Sequence, residues 1–169
     1  MSSKYLPRIQ AKEYNEKQGS DRIFDLYELL SAPLHEELYV RQDFNFLDEL
    51  SEGQQLLISY DYVRMQVQQG GFIQLIQNGY IGLLPDMPGW LNMIGATNMA
   101  QVIDDALKVY VLNRELLDKQ TTVEEFAKLY EELKEFEIID DRFRRADEET
   151  VEKIVAYIKE HIEVFAILV

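Results

Sequence analysis

The stretch SEGQQLLISYDYVRMQVQQGGFIQLIQNG (Ser51–Gly79) decides the fold. Ser51 followed by Gln54 is a capping-box pattern, with the serine as N-cap and a glutamine at the third helical position. Leu56, Leu57, Tyr60, Val63, Arg64 and Val67 then recur at three- and four-residue spacing, which is helical periodicity. Gly70-Gly71 ends or sharply redirects that helix, because glycine tolerates positive φ. Phe72, Leu75 and Ile76 line a second short helix, and Asn78-Gly79 stops it.

The same period extends in both directions. Upstream, Ser20 is a candidate N-cap for a helix carrying Ile23, Phe24, Leu26, Tyr27 and Leu30, with its break expected at Pro33. Downstream, Thr97 or Asn98 is expected to cap a helix bearing Met99, Val102, Ile103, Ala106 and Tyr110. Thr122 with Glu125 marks another capping box, ahead of Phe126, Leu129, Tyr130, Leu133 and Phe136. Asp147 or Thr150 is expected to open the last helix, with Val151, Ile154, Ile158 and Ile162 on one face and the apolar tail Val164–Val169 as its docked end. Alternating strand-like runs are few and weak. The expectation is an all-α fold: residues 1–19 as an N-terminal arm and 20–169 as a single helical domain with a tight Gly-Gly corner.

Composition bounds the function. The 169 residues carry 17 Lys and Arg against 31 Asp and Glu, a formal net charge of −14. Direct nucleic-acid binding needs clustered cations, and so does docking on anionic membranes, so neither is expected. Cysteine is absent, which excludes disulfides, cysteine-based zinc sites and thiol catalysis. No signal-like or bilayer-length apolar run occurs, so the expected location is cytoplasmic. His35 and His161 lie in no metal-ligand pattern, and no phosphate loop, dinucleotide fingerprint or nucleophile elbow occurs. Adjacent acids such as Asp140-Asp141 point about 100° apart on a helix and do not converge. The expectation is therefore a non-enzymatic protein with no catalytic residues, no metal site and no cofactor.

Charge is uneven. Residues 1–84 hold twelve acids against seven bases, and residues 85–169 nineteen against ten. The candidate partner-binding surface is Glu124, Glu125, Glu131, Glu132, Glu135, Asp140, Asp141, Glu148, Glu149 and Glu152. Carboxylates spread along helices imitate part of the phosphate array of a duplex and would steer a basic protein. Evenly solvated helix faces are the bland alternative.

Gly70, Gly71, Phe72, Gln74 and Asn78 match an Asn-Gly-Gly-Phe-x-Gln run with an Asn four residues after the Gln. This motif resembles the core of a bacterial all-helical family of domains of unknown function that includes an acidic DNA-mimic protein. Gln69 stands where the family has Asn, and Gly79 where it has a small polar residue. Ile94-Gly95-Ala96, Ala100, Ile103 and Ala106-Leu107 resemble the family's next helix, so the likeness covers residues 50–115. It implies the helical fold. By analogy it also implies an acidic inhibitor of a basic DNA-binding regulator, acting as a homodimer. An immunity-type protein that neutralises a toxin is the alternative partner class. At the corner itself, Gln74 and Asn78 lie on one helical face, placed to satisfy the backbone of the broken helix. The alternative there is a small-ligand pocket of Arg64, Gly70, Gly71, Gln74 and Asn78.

Overall fold

The computed structural model describes residues 4–119 and 121–169. Residues 1–3, part of the expected N-terminal arm, lie outside the described residues. The elements in order are β1 (Arg8–Ile9), α1 (Ala11–Gln18), α2 (Ile23–Arg41), α3 (Glu52–Gln77), α4 (Met87–Met93), α5 (Thr97–Leu112), α6 (Arg114–Leu117), α7 (Val123–Glu132), α8 (Lys134–Glu160) and β2 (Ile167–Leu168), with short 3₁₀ turns between them. The fold is all-α, as the periodicity predicts. The chain forms two compact units: one runs up to Ile58 and includes Glu149–Val169, and the other is Ser59–Glu148.

In the first unit, α2 continues through Pro33 to Arg41 instead of breaking there. Leu26, Leu30, Leu34 and Leu38 fall four apart and are all buried. Burying such side chains stabilises by about 1.5–3 kcal/mol each. Together they outweigh the roughly 3 kcal/mol cost of an interior proline. Ser20 does not act as the N-cap of α2. Its hydroxyl instead donates to Asp25 Oδ2 at 2.5 Å.

The capping box at the start of α3 is formed. Gln54 N–H donates to Ser51 Oγ at 3.2 Å, and Ser51 N–H donates to Gln54 Oε1 at 3.0 Å. The fully buried Gln54 amide then donates to the carbonyls of Tyr5 at 3.0 Å and Phe165 at 3.2 Å, which holds both chain ends. The expected arm thus carries β1 and α1, with Ile9 and Tyr14 buried. The tail is not the end of a helix. Ile167 and Leu168 pair in parallel with Arg8 and Ile9. Aliphatic and β-branched residues suit an extended strand, but the partner lies at the opposite end of the sequence, where no local pattern reveals it.

In the second unit α3 is interrupted at Gly71, whose φ of 77° and ψ of −177° are non-helical. That region of backbone space is essentially restricted to glycine. The chain resumes helix at Phe72 and stops at Gly79, where φ is 85°. There Tyr80 N–H donates to Leu75 C=O and Gly79 N–H to Ile76 C=O, a Schellman ending. The α7 capping box forms as its sequence predicts, with Glu125 N–H donating to Thr122 Oγ1 at 3.2 Å.

Helix α8 departs most from expectation. It runs unbroken from Lys134 to Glu160, with Asp147 and Thr150 inside it and buried. These residue types read as caps when only local sequence is available. Here their side chains sit on the apolar stripe with Phe136, Ile139, Phe143 and Ile154.

Gly71→Ala is expected to destabilise strongly, by more than about 2 kcal/mol, because the new Cβ is both in a forbidden region and blocked. The blocking groups are the Tyr130 hydroxyl and the Asp140 carboxyl. Gly89→Ala, in α4 with open space around its Cβ, is the control and should not destabilise. Urea unfolding midpoints of the two variants check this.

Candidate functional site

The polar chemistry of the second unit gathers where α8 faces α3. Asp140, Arg144 and Asp147 are spaced four and three apart, so all three fall on one face of α8. Tyr60, Arg64 and Gln68, each four from the next, present one face of α3. Asp147 accepts from the Tyr60 hydroxyl at 2.5 Å, from Arg64 Nε at 3.0 Å to both oxygens, and from Gln68 Nε2 at 2.7 Å. Arg144 donates from Nη2 to the Val67 carbonyl at 3.2 Å. Phe143 lies among them, stacked on Tyr60 at 5.9 Å and edge-on to Phe72 at 5.7 Å. The two helices are antiparallel here, since residues 60 to 72 of α3 meet 147 back to 140 of α8.

The break in α3 exposes backbone groups that a continuous helix would pair internally. Asp140 Oδ1 accepts the Phe72 N–H at 2.8 Å. The Tyr130 hydroxyl, reaching in from α7, donates to the Gly70 carbonyl. That hydroxyl also lies 3.5 Å from Asp140 Oδ2. Burial pushes the Asp140 carboxyl up from 3.8 to about 6, against the opposing pull of the Phe72 N–H and the Arg144 charge. Burial, reinforced by the Asp140 charge, likewise raises the Tyr130 phenol.

The candidate ligand residues come together only in part: Gln74 lies against Gly70 and shares Gln66 with Asn78, while Arg64 is turned to Asp147. Gln74 Nε2 donates to Gln66 Oε1 at 3.1 Å and to Gln69 Oε1 at 2.9 Å, and Asn78 Nδ2 donates to Gln66 Oε1 at 2.8 Å. Gln74 and Asn78 therefore bind neighbouring amides; the broken backbone is served by Asp140 and Tyr130 instead. Only Gly70 of the expected set lines the cleft at the break. That cleft has a volume of about 540 Å³ and is bounded by Gly70, Phe126, Tyr130, Lys134, Asp140 and Arg144, with Glu131 and Glu137 also lining it.

The acidic surface needs one correction. Asp140 is only 3% exposed and is no part of it. Desolvation of a carboxylate is costly, and the orphaned Phe72 N–H at the break supplies the partner that makes its burial tolerable. Glu124, Glu125, Glu131, Glu132, Glu135, Asp141 and Glu148 are exposed on α7 and α8 of the second unit, together with Glu137. Glu149 and Glu152 are exposed in the first unit. Among the described residues no group of three or more His, Asp or Glu side chains is placed to hold a metal ion, and no helix is long and apolar enough to cross a membrane.

A family model described as DMP19-like protein matches residues 48–161. The chain belongs to the DMP19-like family. The match begins just before the α3 cap and takes in the whole of α8, well beyond the stretch 50–115 that carries the sequence resemblance. It thus takes in Asp140, Arg144 and Asp147 as well as the Gly-Gly break. No curated protein matches the chain.

Sequence reasoning placed Tyr130 on the lining face of its helix but overlooked its hydroxyl's role at the break, and it overlooked the inward roles of Asp140 and Asp147. A signal was present: two acids seven apart on the same stripe as Phe136 and Phe143 face the core side of the helix.

Asp140→Asn keeps the size and an acceptor but removes the titration. The wild-type carboxyl binds its proton more tightly folded than unfolded, so its contribution to stability is greatest in acid and declines as pH rises through about 6. Relative to Asp140→Asn, the wild type should lose about 2 kcal/mol between pH 4 and pH 7. Urea titrations of both proteins across that range measure the difference.

Proposed function

We propose that this DMP19-like protein is a non-enzymatic acidic binder of a basic protein, acting as a duplex mimic toward a DNA-binding regulator. One observation carries this reading. On α7 and α8 of the second unit, Asp140 and Asp147 turn inward, while eight further carboxylates from Glu124 to Glu148 remain on the outside. Interspersed cations offset part of that field. Lys128, Lys134, Arg142, Arg144 and Arg145 lie on the same helices; Arg142 is paired with Asp105 at 2.7 Å, and Arg144 also approaches Asp141 at 3.4 Å. The remaining excess, within a chain of net charge −14, favours a cationic partner.

The physical mechanism is electrostatic steering. A field of one sign raises the encounter rate with an oppositely charged protein, and salt screens it over about 10 Å at 0.1 M. A protein shaped to grip phosphates would meet carboxylates in their place and be kept from DNA. A basic toxin would be recognised by the same surface chemistry, so the displacement arm of the test separates the two partner classes.

The test compares immobilised wild type with Glu124→Gln/Glu132→Gln/Glu135→Gln/Glu148→Gln in cell extract at about 50 mM and about 0.5 M salt. The expected result is a basic protein retained by the wild type only at low salt, lost with the variant and displaced by duplex DNA. Identical retention by both proteins at both salt concentrations would contradict the reading.

A further inference from the structure

We propose that the cleft beside the Gly70–Gly71 break receives an arginine side chain of the basic partner. This site rests on the acidic-binder reading and specifies where the partner's cation is held most closely. The cleft, about 540 Å³, falls in the size range of ligand pockets. Phe126 and Tyr130 both line it, with ring centroids 5.5 Å apart at 68°. Aromatic faces attract a planar guanidinium more readily than they attract a compact ammonium.

Lys134 and Arg144 bring two cations to the cleft and Glu131, Glu137 and Asp140 three carboxyls, so its lining keeps one negative charge in excess when Asp140 is ionised. The Tyr130 phenol has one proton, and the Gly70 carbonyl takes it. Asp140 Oδ1 accepts from Phe72 N–H, while Oδ2 has the Tyr130 hydroxyl at 3.5 Å, at the weak limit of a hydrogen bond. Arg144 lines the same cleft, but its guanidinium is engaged with the Val67 carbonyl and Asp141. The Tyr130 oxygen already accepts from the Ile73 N–H, so the acceptors left beside the aromatic walls are Asp140 Oδ2 and the second lone pair of the Gly70 carbonyl. A guanidinium brings five N–H donors in a fixed fork and a positive charge for the carboxylate.

Binding is coupled to protonation. The groups facing Asp140 are the Phe72 N–H from α3, the Tyr130 hydroxyl from α7, and Arg144 and Asp141 from α8. Its burial-raised carboxyl, titrating at about 6, is ionised at pH 7 and mostly neutral at pH 5. A cation placed beside it favours the ionised form, so affinity should fall in acid.

The probe is the peptide acetyl-Gly-Arg-Gly-amide, titrated into the isotope-labelled full chain and followed by amide NMR. At pH 7 the expected result is saturable shifts at Gly70, Phe72 and Tyr130. They should be absent with the citrulline peptide, weaker with the lysine peptide and about tenfold weaker in affinity at pH 5. Asp140→Asn should abolish them. Phe126→Ala, at a half-exposed position, should weaken binding severalfold and serves if Asp140→Asn fails to fold. Shifts scattered over the exposed glutamates, equal for arginine and lysine and insensitive to both variants, would overturn the proposal. The Glu124→Gln/Glu132→Gln/Glu135→Gln/Glu148→Gln variant should keep the peptide shifts. If the arginine peptide fails while capture still depends on those four glutamates, the recess is wrong and the acidic-surface reading stands. If the peptide binds and capture does not depend on them, the recess stands and the surface reading falls.

Discussion

The second unit depends on one hydrogen bond at a broken helix: the Phe72 N–H donated to the buried Asp140 carboxyl at 2.8 Å. Gly71 turns α3 through a conformation restricted to glycine, which strips the next turn of internal partners. A buried N–H without an acceptor costs about 1–3 kcal/mol, and a buried carboxylate without donors costs more. Each of these liabilities resolves the other. The cost of the arrangement shows in the Asp140 carboxyl, which burial lifts to about 6 in spite of that bond.

The rest of the interface follows from this anchoring. With Asp140 held at the break, helical spacing brings Arg144 to the Val67 carbonyl and Asp147 to Tyr60, Arg64 and Gln68. The phenyl ring of Phe143 fills the space between Tyr60 and Phe72. Such a satisfied polar row fixes the register of α8 against α3 more sharply than apolar packing alone, because a shift by one residue would orphan several buried groups at once. The same inward turn sorts the acids of α7 and α8 in the second unit into two kinds: two that serve the fold and eight that stay exposed.

Local patterns made much of the fold legible. The capping boxes at Ser51 and Thr122 and the helical spacing in α3, α5 and α7 depend on neighbours within a few residues. Pro33 misled because the buried leucines on either side of it overrule a local breaker. Asp147 and Thr150 misled for a related reason: a polar residue inside a long helix looks like a cap until its distant partners are known. The tail pairs with Arg8 and Ile9, a contact that no spacing rule reaches. At the site, the Gly-Gly break stood out in the sequence, but its partners Tyr130 and Asp140 lie 60 and 68 residues from Gly70 and Phe72. The amides of Gln74 and Asn78 were nearer and chemically suitable, yet Gln66 occupies them.

The most direct measurement is a carbon-detected NMR titration of the Asp140 side-chain carboxyl, with the Phe72 amide proton followed in the same samples. A single transition near pH 6, seen in both signals at the same midpoint, is the expected result, because one buried carboxyl caps that amide. A carboxyl midpoint near 3.8 with a Phe72 amide indifferent to it would contradict the inward role of Asp140, and with it the division of acids on which the functional reading rests.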